Sequence, residues 1–412
     1  MKYSKLALTP DITELLAVYF KEVNIELNDI LAYWMLNARD PVNGGFIGRI
    51  DENNVRHQDA PKGAVLNSRI LWAFSAAYKI TGNPDHLHMA GIAFNYLTGN
   101  FIDKEYGGVY WTVDANGLPL DSKKQIYALA FAIYGCCAYF EISNIEPAKN
   151  TAIELYSLIE AHSFDIVNSG YLEAFTREWG SMKDLRLSEK DANEKKTMNT
   201  HLHVLEAYTT LYRIWPNEKL KEQIKNLIRN FTDHFIDEGT GHLLLFFDEQ
   251  WNRRSATVSY GHDIEAAWLL LEAAETIMDA PVIDSIKKIS IKISSAAVEG
   301  LDADGSLWYE YEPNINHITK EKHSWVQAEA MVGFFNHWQL TGDEAYLEKS
   351  LQSWHYVNTF IKDKIYGEWL WGRNDDGTAM KNQDKVGIWK CPYHNSRACI
   401  EIIKRLHPVL PG

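Results

Sequence analysis

A histidine and two acids, His262, Asp263 and Glu265, stand at the threshold of the stretch SYGHDIEAAWLLLEAA (259–274), which otherwise reads as buried helix. Similar thresholds recur along the chain, with Arg69 in LNSRILW, Tyr127 in KKQIYALAF, and Asn199, His201 and His203 in MNTHLHVLEAY. Two more hold Trp325, Gln327 and Glu329 in SWVQAEA, and Trp389, Tyr393, His394 and Arg397 in IWKCPYHNSR. A metal centre is disfavoured, because the imidazoles are spread over separate segments and the charge of Arg69 would oppose a nearby cation. A serine or cysteine nucleophile lacks its local signature. The chain's 14 Trp and 21 Tyr supply flat faces with polar edges, suited to stacking on sugar rings, and make a carbohydrate the economical substrate.

For a sugar, two reactions come into question. Glycoside hydrolysis needs two carboxylates at a defined separation across the scissile bond. Proton transfer beside a carbonyl needs bases titrating near neutrality and donors that stabilise an enediolate. Imidazoles dominate the set, which favours the second. A helix N-terminus keeps a histidine neutral, as a base requires, while Asp263 and Glu265 act on His262 in the opposite sense. Glu265, one turn on along the same face, is placed to hold the His262 ring. Each residue also has a structural reading. A lone histidine near a helix start is more often a cap or a satisfied core group, Glu265 and Glu329 would favour an N-terminus electrostatically, and Tyr127 and Trp325 alone would count as core. Recurrence at one register carries the functional reading. His201, two residues from His203, points to another helix face and is read as structural.

The elements that position these groups repeat. A glycine followed by large apolar residues recurs at Gly45, Gly108, Gly170, Gly241, Gly305 and Gly367, at intervals of 63, 62, 71, 64 and 62 residues. Each patch reads as a short strand or turn between two helices. The helices that follow the patches, starting near Gly63, Lys123, Lys196, Tyr260, Lys322 and Cys391, are apolar on nearly every face and should be internal. The others, such as NEKLKEQIKNLIRNFTDHFI (217–236), carry a charged stripe and should be external. Six alternations predict an all-α, (α/α)6 barrel, a toroid of six inner and six outer helices with short β-hairpin-like loops at one end. An open solenoid is the rival, but its familiar repeats are shorter, roughly 34 to 47 residues, and lack long internal loops. Inner-to-outer turns such as TGNPDH after Ile80 are brief, whereas outer-to-inner loops are long and contain every glycine patch. The functional cleft is therefore expected over the N-termini of the inner helices.

Composition agrees with this reading and narrows the partners. With 46% apolar residues in 412 and no linker or low-complexity tract, residues 1–412 are read as one catalytic domain. Lys+Arg 41 against Asp+Glu 55 leaves a formal charge of −14, which repels nucleic acid and anionic membrane surfaces. The opening MKYSKLALTPDITELL has too short an apolar patch for a signal peptide, so a cytoplasmic protein is expected; a monomer is the separate expectation for its assembly. Cys136, Cys137, Cys391 and Cys399 form no zinc-type pair and are read as reduced packing residues.

The strings LNSRILW, EYGGVYW, TMNTHLHVLEAY, YGHDIEAAWLLLEA, WVQAEAMVGF and WKCPYHNSRACIE resemble the N-acylglucosamine 2-epimerase superfamily, most closely its cellobiose 2-epimerase branch, over essentially the whole chain. The resemblance implies an (α/α)6 barrel that reversibly epimerises the reducing-end glucose of β-1,4-linked disaccharides or short oligosaccharides, giving glucosyl-mannose from cellobiose and epilactose from lactose, without metal or other cofactor. It implies that His262 and His394 are the acid/base pair at C2, working from opposite faces of a cis-enediolate. It further implies that His203 and Arg69 polarise the carbonyl oxygen, that Glu265 and Glu329 orient imidazoles and hydroxyls, and that Trp325 and Trp389 stack on the sugars. Asn199, Tyr127 and Asp191 would make supporting contacts. Two positions depart from the family pattern: Gln125 stands where relatives often have His, and Ser324 where they often have a second Trp. An aldose-ketose isomerase or an N-acylglucosamine epimerase is the nearest alternative. A glycosidase would need acids where His262 and His394 stand, and a non-catalytic sugar-binding toroid has no use for two bases.

Overall fold

The computed structural model describes residues 9–408. Its twelve α-helices come in pairs: α1 (Pro10–Tyr33) and α2 (Ala64–Thr81), α3 (Pro84–Tyr96) and α4 (Ile126–Ser143), α5 (Glu146–His162) and α6 (Met198–Ile214). The second half repeats this with α7 (Glu218–Asn230) and α8 (Tyr260–Ile277), α9 (Ala280–Ala297) and α10 (Ser324–Thr341), α11 (Glu344–Tyr356) and α12 (His394–Leu406). Periodicity sorts them. α7 buries Leu220, Ile224, Leu227 and Ile228, a stripe on one face, and turns its charges to water. α4 is long and apolar enough to span a bilayer, yet it lies inside the protein, buried at every residue from Ile126 to Tyr139.

The even-numbered helices form a closed ring. α2 packs on α4, α4 on α6, α6 on α8, α8 on α10, α10 on α12, and α12 returns to α2, while α1 covers α12 from outside. This is the (α/α)6 barrel, and the return contact rules out the open solenoid. Close approach within the ring needs small residues. At Gly333 of α10, a Cβ would stand 2.6 Å from the Ile264 carbonyl oxygen of α8.

Turns at the far end are minimal. Gly82 and Asn83 join α2 to α3, the first in the left-handed conformation and the second capping the next helix; Gly342 and Asp343 repeat the device between α10 and α11. The long loops gather at the opposite end, as expected. Their strands do more than form local hairpins, because most pair one repeat with the next: Lys62–Gly63 with Thr112–Val113, Lys124–Gln125 with Ala174–Phe175, Lys196–Thr197 with Phe246–Phe247, Val258–Ser259 with Glu310–Glu312, and Lys322–His323 with Gly372–Arg373. An Ile50–Val386 bridge links the first loop to the last.

A further repeated feature escaped the sequence reading. The lysine that starts each of four such strands reaches an aspartate in the turn after the preceding outer helix: Lys62 to Asp40, Lys124 to Asp103 and Lys196 to Asp165 at 2.8 Å, and Lys322 to Asp302 at 3.1 Å. Lys385 holds Asp363 in the same way. Before α8 the lysine position is taken by Val258. There the buried His242 stands instead between Asp263 at 2.7 Å and Glu299 at 3.2 Å.

Candidate active site

At the mouth of the ring, His262 is the third residue of α8 and His394 the first of α12. Both imidazoles lie against one indole, with ring centres 4.9 Å (His262) and 5.6 Å (His394) from that of Trp325. Each is held by Nδ1: His394 by Glu329 Oε1 at 2.7 Å, His262 by Ser259 Oγ at 2.9 Å. His203 is held likewise by Glu206 Oε2 at 2.9 Å. With Nδ1 engaged, Nε2 of each ring is the nitrogen left to meet a substrate. Burial pushes both His262 and His394 below the usual imidazole range, against the opposing charge of Glu265.

Beneath these rings lies one buried guanidinium. Arg397 Nη1 donates to Glu206 Oε1 and Nη2 to Glu329 Oε1, each at 2.6 Å, and Nη2 also pairs with Glu265. Tyr393 donates its hydroxyl to Glu206 at 2.7 Å, and Trp268 donates its indole N–H to Glu329 Oε2 at 3.1 Å. Glu265 therefore does not hold the His262 ring as expected; its carboxylate turns down to Arg397, and Ser259 takes the ring instead. Burial acts to raise the Glu206 carboxyl, but the Arg397 charge and the His203 contact outweigh it and hold it at about 2. Sequence reasoning missed Glu206, although His203 and Glu206 repeat the three-residue spacing of His262 and Glu265. Ligand atoms of Glu265, Glu329 and His394 lie within 4.8 Å of one another, near enough to share a cation. Arg397 already fills that role for both carboxylates, so the donor set does not fit a metal.

Arg69 lies beside this network. Its Nη2 donates to the Tyr127 hydroxyl at 2.8 Å, and its guanidinium carbon stands 4.1 Å from the Phe131 ring centre and 4.6 Å from that of Tyr393. Among the described residues Arg69 Nε and Asn199 Oδ1 are buried without a partner, which leaves a donor and an acceptor for a ligand. Next to His394 a cavity is lined by Trp325, Trp389, Trp369, Trp371, Ser324 and Asn395. The small Ser324 leaves room there, and Trp371 is a further aromatic wall absent from the sequence list. Trp389 also meets Trp111 and Tyr127, at ring distances of 5.7 and 6.0 Å.

Asp191 arrives on the loop before α6, close enough for its charge to act on His262. The loop pins this carboxylate through Ser188, whose N–H and hydroxyl both donate to it at 2.8 Å. Gln125 in turn ties the loop to the barrel, its Nε2 donating to the carbonyls of Leu185 at 3.2 Å and Arg186 at 2.9 Å. Two mouth candidates turn away from the cleft. Asp263 accepts the Leu243 N–H and Gln327 the Leu307 N–H, each at 2.8 Å. His201, read as structural, accepts the Tyr171 N–H at 2.8 Å. All three are the fourth residue of their helices and latch a glycine patch to the ring.

A profile of the N-acylglucosamine 2-epimerase (GlcNAc 2-epimerase) family matches residues 45–398. Cellobiose 2-epimerase from Bacteroides fragilis is 49% identical over 374 residues, 91% of this chain and 95% of that protein. The solved structure of cellobiose 2-epimerase from Bacillus thermoamylovorans B4167 superposes with a TM-score of 0.91 at 39% identity, covering 94% of this chain and all 100% of the other. That from Spirochaeta thermophila DSM 6192 gives 0.92 at 35% identity, covering 98% and 100%.

Proposed function

The chain belongs to the N-acylglucosamine 2-epimerase family, and from that premise we propose that it inverts C2 of the reducing-end glucose of β-1,4-linked disaccharides, cellobiose and lactose among them. It is a carbohydrate epimerase or isomerase, and its cellobiose 2-epimerase relatives support epimerisation of cellobiose. The observation that carries the mechanism is the pair of imidazoles flanking Trp325, each anchored by Nδ1.

Nε2 of one histidine takes the proton from C2 of the open-chain sugar. The C–H electron pair becomes the C1–C2 double bond, and negative charge moves to the carbonyl oxygen, giving a cis-enediolate. The other histidine, which enters the step as the imidazolium with N–H on both nitrogens, returns its Nε2 proton to the opposite face and becomes neutral, so the two rings exchange charge states. One immobile base would restore the original configuration, so inversion calls for two. Each positioned proton transfer is worth about 10²- to 10⁴-fold in rate. Arg69 and His203 stabilise the charged oxygen, Glu329 orients His394, and Glu265 acts through Arg397. Trp325 and Trp389 stack on the sugars, and Asn199, Tyr127 and Asp191 bind hydroxyls. Hydrolysis is disfavoured because Glu206, Glu265 and Glu329 all converge on Arg397 instead of standing on either side of a bond.

Incubation with cellobiose or lactose in D2O, followed by NMR, tests this. A C2-inverted disaccharide carrying deuterium at C2 is expected. Free glucose would show hydrolysis, and a 2-keto disaccharide would show isomerisation; either as sole product overturns the reading.

A further inference from the structure

We propose that Ser259 is a positioning residue of the reaction, which holds the His262 ring with its proton on Nδ1 and so keeps Nε2 as the base. The inference rests on the acid/base pair proposed above and extends it to a residue outside the ring-to-carboxylate contacts.

Ser259 is the N-cap residue of α8, in extended backbone geometry, and it is fully buried. A serine there ordinarily accepts a hydrogen bond from the backbone N–H two or three positions on. Thr197, the N-cap of α6, does so, accepting from Thr200 at 3.2 Å. Ser259 makes no such cap, and its Oγ meets His262 Nδ1 at 2.9 Å. The hydroxyl is diverted from the helix to the ring. The peptide of Ser259 is itself fixed by antiparallel pairing with Glu310 in the next repeat, so the Oγ is presented from a rigid element.

The two histidines are thus anchored by different chemistries. Glu329 as a carboxylate only accepts, and it imposes Nδ1–H on His394 outright. A hydroxyl both donates and accepts. When Oγ accepts from Nδ1–H, the His262 Nε2 lone pair faces the cleft. It can take the C2 proton, and the resulting imidazolium keeps the same hydrogen bond. Without Ser259 the Nδ1–H form loses its acceptor and the ring is free to turn, while the fold loses no cap that it was using.

The test uses the full-length enzyme with 15N-labelled histidine, comparing wild type, Ser259→Ala and Ser259→Thr, with circular dichroism to check the fold. Two-bond 1H–15N spectra of the unliganded proteins report the His262 tautomer, and initial rates report kcat and KM for cellobiose. Expected are a fall in the Nδ1–H population of His262 in Ser259→Ala, a kcat lower by about ten- to a hundredfold with KM nearly unchanged, and recovery of both in Ser259→Thr. An unchanged His262 tautomer in folded Ser259→Ala overturns the inference even if wild type epimerises cellobiose. If wild type leaves cellobiose untouched while the tautomer still follows Ser259, the epimerase reading falls and the positioning contact stands.

Discussion

Glu329 Oε1 accepts from His394 Nδ1 at 2.7 Å and from Arg397 Nη2 at 2.6 Å, so a single carboxylate oxygen joins a surface-reaching imidazole to the buried guanidinium. Replacing Glu329 by Gln keeps the shape and removes the charge, and the amide can still accept at only one of its two ends. Glu329→Gln is expected to lower kcat on cellobiose by about ten- to a hundredfold with a smaller change in KM. Equal losses through KM alone, in steady-state kinetics, would place Glu329 in binding instead.

His262→Asn and His394→Asn should each reduce turnover by at least about a hundredfold while the helical circular dichroism is retained. Near-normal rates in either variant remove that residue from the proton path.

Burial lowers the His262 imidazole, and Glu265, His203, Asp191 and Glu329 are the charged or titratable groups acting on it. The base form consequently persists into mildly acidic solution and is lost only as pH falls through the lowered value. The acid limb of kcat/KM against pH is expected below about 6.5, the ordinary histidine value. A limb above it would contradict a buried neutral base.

His201 should make stability depend on acid. Burial drives its pKa down to about 3, so it stays neutral in the folded protein while the unfolded chain binds a proton below about 6.5. The unfolded state then holds more protons between these values, and stability falls with decreasing pH by roughly 1.4 kcal/mol per unit across that window. Denaturant midpoints measured from pH 7 to 4 check this. His201→Gln should flatten the slope at the cost of a lower midpoint at pH 7.

The lysine clasps predict an unequal pair of mutants. Lys62 is the only ion-pair partner found for the buried Asp40 among the described residues, so Lys62→Met leaves a lone charge and should cost about 3–5 kcal/mol. Asp103 keeps Arg177 at 2.9 Å when Lys124 is lost, so Lys124→Met should cost less. Equal shifts in chemical denaturation would mean that Arg177 does not compensate.

The sequence carried the helices because each register repeats within a few residues: the stripe of α7 and the apolar run of α4 are local patterns. It also carried His262, His394, Arg69 and Trp325, whose positions at helix starts are countable. What it did not carry is who binds whom. Glu206 and Arg397 are 191 residues apart, and nothing local tells Glu265 to face Arg397 instead of His262. Asp263 and Gln327 share the mouth register with the rings gathered around Trp325, and only the backbone N–H groups they satisfy reveal their different task. Ser259 was invisible for a related reason, since a serine before a helix has a sufficient explanation as a cap.

Arg397 is the last of its network to leave the ribosome. Glu206, Glu265 and Glu329 are all synthesised before the guanidinium that neutralises them. Without α12 between α10 and α2, the three acids at the base of the ring would face one another with no guanidinium between them. That one helix thus supplies both the missing wall and the missing charge, so the ring closes and its acids are neutralised by the same docking event.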